Sequence, residues 1–280
     1  SAQVKEDMWI KSDGKALPWL NATKSLSAIG VPGTTALLWE GHQQFGRLPW
    51  GNCFQRSIDI ATEGFIPSPR FLRSISLAQK LGISHSKDFK SLFMPNNSLP
   101  NPNVPFRNKQ LASTLSRIAK KGINEFYRGD IANQLINDLE LIKNEKKEIK
   151  SITNEDLANY KAIERNPISF DYRGYKVHSM PPASSGGIAV AGILNQLENV
   201  DFSEIEFHSA KHIHLISEAE RRAYADRAEF LGDTDFINVP IDTLITQEYS
   251  DGRWASINEF EASKSSEVSH GEISYNLFES

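Results

Sequence analysis

Cysteine is nearly absent: Cys53 is the one thiol in 280 residues, so neither an internal disulfide nor a thiolate zinc site can be built within the chain. Charge of one sign is lacking too. Thirty-one basic against thirty-five acidic side chains leave a formal charge of -4, too balanced for a nucleic-acid backbone or an anionic membrane to be the main partner. No apolar run approaches the roughly eighteen residues of a membrane-spanning helix, and the opening SAQVKEDMWIK has no basic stretch followed by an apolar one. Neither a span nor a signal peptide is expected within the chain; either the protein is intracellular or a targeting segment has been removed. HExxH, GxSxG and GxxxxGK[ST] are missing as well, which withdraws motif support for a zinc hydrolase, a serine elbow and a nucleotide phosphate loop.

What is present is enough for a core: 39% hydrophobic residues, with five Trp, seven Tyr and fifteen Phe. The sequence reads as one domain over 1–280, helix-dominated with a short strand insert, an α/β chain. Residues 1–33 are an irregular entry segment broken by Gly14, Pro18, Gly30, Pro32 and Gly33. Helical spacing then places Leu37, Leu38 and Phe45 on one element, and Phe54, Ile58 and Ala61 inward on a helix over 50–62. Another helix starts at Pro69. The four prolines between Met94 and Phe106 enforce a loop. Helices follow with Leu111, Leu115 and Ile118 inward, and from Asn124 with Phe126, Ile131, Leu135 and Leu139 inward. The charged run KNEKKEIK is a solvated end. Thr153 and Asp156 predict a capped helix within 151–160. Alternation of Ile168, Phe170, Tyr172 and Tyr175, Val177, Ser179 around Arg173-Gly174 predicts a hairpin. The longest helix is expected over 209–231, with Ile213, Ile216, Ala219 and Ala223 on its inner face, and residues 259–280 form a mobile tail.

Three regions carry candidate chemistry. His208, His212 and His214 lie close together, but no third ligand follows at a recognisable interval, so helix surface and no metal are expected. Glu218, Glu220, Asp226, Glu229, Asp233 and Asp235 crowd one region with Arg221, Arg222 and Arg227; intrahelical ion pairs such as Glu218 with Arg222 are the plain reading, and a catalytic carboxylate pair the sharper one. Ser184, Ser185, Gly186 and Gly187 bring two hydroxyls and two unhindered amides to a helix start, able to hold an anion or a developing oxyanion or simply to make a tight turn. Gly186 is the position where a Val is expected to block close approach of another element. Ser1, whose own amine could act as its base, sits in a polar lead-in and is read as a chain end rather than a nucleophile.

The string ITNEDLANYKAIERNPISFDYRGYKVHSMPPASSGGI, from Ile152 to Ile188, resembles the γ-glutamyltranspeptidase family. IGVPGT at Ile29 to Thr34, EFYRGDIA at Glu125 to Ala132 and EAERRAYADRAEFLGDTDF at Glu218 to Phe236 agree with it in order. Ala183 stands where the family usually has a third proline, and KKEIKSIT lacks the glycine common before the capped helix; neither removes a reactive group.

The resemblance implies part of a large subunit from a self-cleaving precursor with the αββα sandwich of the N-terminal nucleophile (Ntn) hydrolases. The chain would begin after the arginine motif that holds the substrate α-carboxylate and end near a processing point. The nucleophilic Thr would then follow Ser280, on the small subunit, and no catalytic residue would lie in this chain. It implies transfer of a γ-glutamyl group, from glutathione or a related amide, to water or an amino acid through a threonine ester. The reaction needs no metal or organic cofactor, and the 280-residue chain alone would be inactive. The partners implied are the small subunit and a γ-glutamyl compound, and the setting is periplasmic or secreted. Ser184 to Gly187 with Tyr224, Asp226 and Arg227 are the candidates to line or brace the site. An acylase or poly-γ-glutamate-processing enzyme of the same superfamily and a non-catalytic helical interaction module are the alternatives.

Overall fold

Short polar side chains decide where the helices begin. Ser68, Ser86, Asn108, Thr153, Ser209 and Thr246 each accept the backbone N–H three residues on, satisfying a donor that the first turn leaves without a partner. The computed structural model describes residues 7–82, 86–146 and 152–273. Expectations for Ser1, for the end of KNEKKEIK, for Ser151 and for residues 274–280 lie outside them. The chain is helix-dominated with one small two-stranded sheet among the described residues. Where the sequence reads as one domain, contacts group into two compact units, Ser1–Ile163 and Glu164–Ser280. No helix among the described residues is long and apolar enough to cross a membrane.

The first unit holds α1 (Trp19–Ala22), α2 (Thr34–Phe45), α3 (Gln55–Glu63), α4 (Pro69–Lys80), α5 (Lys87–Phe93), α6 (Lys109–Lys121), α7 (Ile123–Tyr127), α8 (Asp130–Lys146) and α9 (Asn154–Ala158). Its core gathers Leu26, Ala36, Tyr127, Ala132, Ile136, Leu139, Ile152 and Leu157. Tyr127 ties this core to the start of α2: its hydroxyl donates to the Pro32 carbonyl at 2.5 Å and accepts from Ala36 N–H at 3.1 Å. Burial raises its pKa above the ordinary tyrosine value.

Several details depart from the periodicity, among them Leu111 of α6, expected inward but 46% exposed. The helix over 50–62 starts as a 3-10 segment, Trp50–Phe54, before α3. The single helix from Asn124 is two, because Gly129 folds so close to Glu125 that an added Cβ would lie 2.8 Å from the Glu125 Cα. That break resets the helical phase: Ala132 and Ile136 are buried where Ile131 and Leu135 were expected, and these two are half-buried. Leu37, Leu38 and Phe45 form α2 as expected but face outward, at 63, 57 and 79% exposure.

The second unit opens with the predicted hairpin, β1 (Ile168–Tyr172) and β2 (Tyr175–Ser179), paired Ile168↔Ser179 through Tyr172↔Tyr175. Arg173 and Gly174 both take positive φ, the geometry that matches a two-residue turn to strand twist. Then come α10 (Gly186–Gln196), α11 (Ala210–Phe230), α12 (Ile241–Leu244) and α13 (Gln247–Trp254). Helix α10 packs against β1, α11 and α13. One core patch joins Ile168 and Ile188 to Phe230, Val239 and Leu244, and another joins Leu197 to Leu215 and Ala219.

Candidate functional site

Positions 218, 222 and 226 recur every four residues, so α11 aligns Glu218, Arg222 and Asp226 in one stripe beside Ala219 and Ala223. The stripe faces inward: Glu218 is fully buried, Arg222 and Asp226 nearly so. Charges removed from water persist only when paired and hydrogen-bonded, and each of these is. Glu218 accepts from Arg222 Nη1 at 2.8 Å, from Arg221 Nη1, and from the Ser263 N–H at 2.9 Å. Burial opposes its charge, but these donors win and hold its pKa down to about 2. Arg222 also donates to the Ser256 hydroxyl at 2.6 Å and carbonyl at 2.7 Å, just past α13.

Asp226 pairs with a residue that helical spacing cannot reveal. It accepts from Arg253 Nε of α13 at 3.1 Å and from the Gly271 N–H at 2.8 Å, while Arg253 Nη2 donates to the Ser269 carbonyl at 2.7 Å. Burial outweighs these donors and raises the Asp226 pKa. Tyr249 adjoins this pair; burial, then the Asp226 charge, pushes its hydroxyl well above the usual value. The stripe therefore laces α13 and residues 256–271 onto α11. Part of the stretch expected as a mobile tail is held here, through Ser263, Ser269 and Gly271.

Arg227 turns the other way. Its Nε donates to the Ser185 hydroxyl at 2.8 Å, and its guanidinium lies 6.0 Å from the ring centre of the exposed Tyr224. Ser185 stands at the N-cap position of α10 without a side-chain capping bond, where the first-turn amides have no acceptor inside the helix. The two glycines there differ. At Gly187 a Cβ would fall 2.4 Å from the Met180 carbonyl and 2.8 Å from Ile168 Cδ1, so α10 sits directly on the hairpin. Gly186 looks into open space, its nearest neighbour Ser184 Oγ at 3.9 Å, so the close approach expected at Gly186 belongs to Gly187.

The structure thus brings Ser185, Gly187, Arg227 and Tyr224 together and puts Asp226 behind them, in contact with α13. An open groove of about 730 Å³ runs beside Tyr224 along α11, bordered by Glu220, Arg221, Glu229, Val268 and His270. The intrahelical Glu218–Arg222 pair is present, but buried rather than on a surface. Asp235 pairs with Arg165, seventy residues away. His214 meets the Asn258 carbonyl at 2.8 Å, while His208 stacks on Phe207 and His212 meets that ring edge-on. No cluster of three metal-binding side chains occurs among the described residues. Arg253, Ser256, Ser263 and Gly271 were missed by sequence reasoning; a charged triplet at four-residue spacing flanked by alanines was the available sign that this helix face is buried.

The family model for gamma-glutamyltranspeptidase matches residues 1–279. The glutathione hydrolase proenzyme of Escherichia coli K12 is 36% identical over 272 residues, covering 97% of this chain and 46% of that protein. That of Pseudomonas aeruginosa is also 36% identical over 272 residues, covering 96% and 46%. The crystal structure of Helicobacter pylori gamma-glutamyltranspeptidase superposes with a TM-score of 0.85 at 33% identity, covering 96% of this chain and 75% of the other. The chain spans about half the length of the curated relatives it matches.

Proposed function

The chain belongs to the gamma-glutamyltranspeptidase family, and from that premise we propose that it is the large-subunit portion of an enzyme transferring γ-glutamyl groups. The observation that carries the proposal is the unbroken family likeness over residues 1–279, which includes the hairpin, the start of α10 and the charged stripe of α11. The donor is glutathione or a related γ-glutamyl amide, and the acceptor is water or an amino acid. A Thr of the small subunit attacks the γ-carbonyl while its own amine takes the hydroxyl proton and passes it to the departing donor amine, so a γ-glutamyl-threonine ester forms as the amide bond breaks; water or the acceptor amine then cleaves that ester, giving up its proton as the Thr hydroxyl is restored. Proenzyme in the names of the relatives supports a precursor that is cut. The complete protein adopts the αββα sandwich of Ntn hydrolases, and its place is the periplasm or outside the cell.

In this chain the residues position rather than react. Arg227 holds Ser185 and so fixes the first turn of α10, with Ser184, Gly186 and Gly187, against the hairpin. Asp226 fixes Arg253 and Gly271 behind it, and Tyr224 borders the open groove. The test is turnover of a γ-glutamyl anilide by the complete purified protein, with and without a dipeptide acceptor. Release of aniline, accompanied by γ-glutamyl dipeptide when the acceptor is present, is the expected result. Cleavage of a glutaryl amide with no turnover of the γ-glutamyl anilide would replace the proposal with the acylase reading, and no turnover of either would remove the enzyme reading.

A further inference from the structure

Helices α10, α11 and α13 border a small, largely apolar space into which a few polar side chains reach. The cavity leaves about 10 Å³ for the centre of a water molecule and is bordered by Gly192, Gln196, Ala223, Asp226, Ser250 and Arg253. Three residues lining it carry a buried polar atom without a hydrogen-bond partner: the Tyr249 hydroxyl, which faces Asp226, and Gln196 Oε1 and Ser250 Oγ, on side chains 3 and 1% exposed. The Gln196 amide cannot turn over to relieve this. Its nitrogen donates to the Gly192 carbonyl at 2.8 Å and the Ala219 carbonyl at 3.3 Å, and the flipped amide would set its oxygen against both. Its oxygen therefore needs a donor from elsewhere. The Ser250 hydroxyl can both donate and accept.

Unpaired buried polar atoms are costly, whereas a space of roughly 10–15 Å³ that offers a water two to four polar partners holds one stably. We propose that one water molecule is a fixed part of this fold, donating to Gln196 Oε1 and hydrogen-bonded to the Ser250 hydroxyl, so that it ties α10 to α13. Asp226 and Arg253 border the same space, so this water lies beside the ion pair that joins α13 to α11. The site adds an internal ligand to the packing of the second unit and does not depend on which acyl group the protein transfers.

The test is a crystal structure of the complete protein at a resolution that shows ordered solvent, together with melting of three variants. One density peak about 2.7–3.2 Å from both Gln196 Oε1 and Ser250 Oγ is expected. An empty cavity, or a direct bond between those two atoms, would overturn the proposal. Ser250→Ala and Gln196→Met should each lower the melting temperature by about 2–4 °C, and the double variant should lose clearly less than the sum, because both variants remove a partner of the same water. Fully additive losses would show that no shared water links the two residues and would also overturn it.

Discussion

Glu218 illustrates how far one side chain's environment is set by its fold. Its pKa falls from 4.5 to about 2, so its contribution to stability is complete above about 4.5 and is lost as pH falls through 2. Asp226 has the opposite sign: its raised pKa gives a contribution complete below 3.8 that is lost as pH climbs through the folded value. Thermal melts of the complete protein between pH 7 and pH 2 should show a loss of stability below pH 4.5. Glu218→Gln should flatten that acid limb while lowering the melting temperature at pH 7, because Arg222 then lies buried without its carboxylate. The glycines give a second contrast. Gly187→Val should destabilise by about 1–3 kcal/mol through its clash with Met180 and Ile168, while Gly186→Ala should be neutral or slightly stabilising in a helix first turn; melting of both variants checks this.

Among the elements, those with a local cause were legible. Alternation and the Arg173-Gly174 pair gave the hairpin, the Thr153–Asp156 box gave α9, and Ser209 with an unbroken run gave α11 almost to the residue. Burial faces were harder, because periodicity reports a phase and any break shifts it. After the Arg128-Gly129 interruption Leu139 is buried as expected, but Ala132 and Ile136 take the innermost places beside the half-buried Ile131 and Leu135, and α2 turned its leucines outward. The inner face of α11 was read from Ile213, Ile216, Ala219 and Ala223; the two alanines are buried and Ile216 packs against the core, but Ile213 is more than half exposed and the charged stripe lies inside beside the alanines. Asp226 finds Arg253 twenty-seven residues away and Glu218 finds Ser263 forty-five away, and pairs at such separations leave no periodic trace. The part of the candidate site visible in advance was the Ser184–Gly187 turn with Tyr224, Asp226 and Arg227; the Arg227–Ser185 link across forty-two residues was not. That link makes a prediction about α10 as a unit. Arg227→Gln in the complete protein should reduce kcat by roughly ten-fold or more with a smaller change in KM, since misplacement of a supporting element acts mainly on the reacting geometry. Arg227→Lys should recover part of the loss, whereas equal kinetics for all three proteins would reduce the contact to a surface bond.

At the scale of the molecule, the chain carries one family's pattern throughout while matching only about half of its relatives' length. Leu37, Leu38 and Phe45 of α2, with Trp19 and Leu48 nearby in sequence, are large apolar side chains left more than half exposed. On the proposed function they are covered by the rest of the protein, so the 280-residue chain alone should bind a hydrophobic dye that the complete protein does not. Equal dye binding by both would mean that this surface stays open. The central claim is a division of labour, in which this chain positions and a Thr of the small subunit reacts. The most direct measurement is mass spectrometry of the complete protein, denatured with acid during turnover of a γ-glutamyl anilide and then digested. The account predicts a γ-glutamyl adduct on a peptide that begins with Thr and belongs to the small subunit. An adduct on Ser184 or Ser185, or turnover with the acyl group on any residue of this chain, would contradict it.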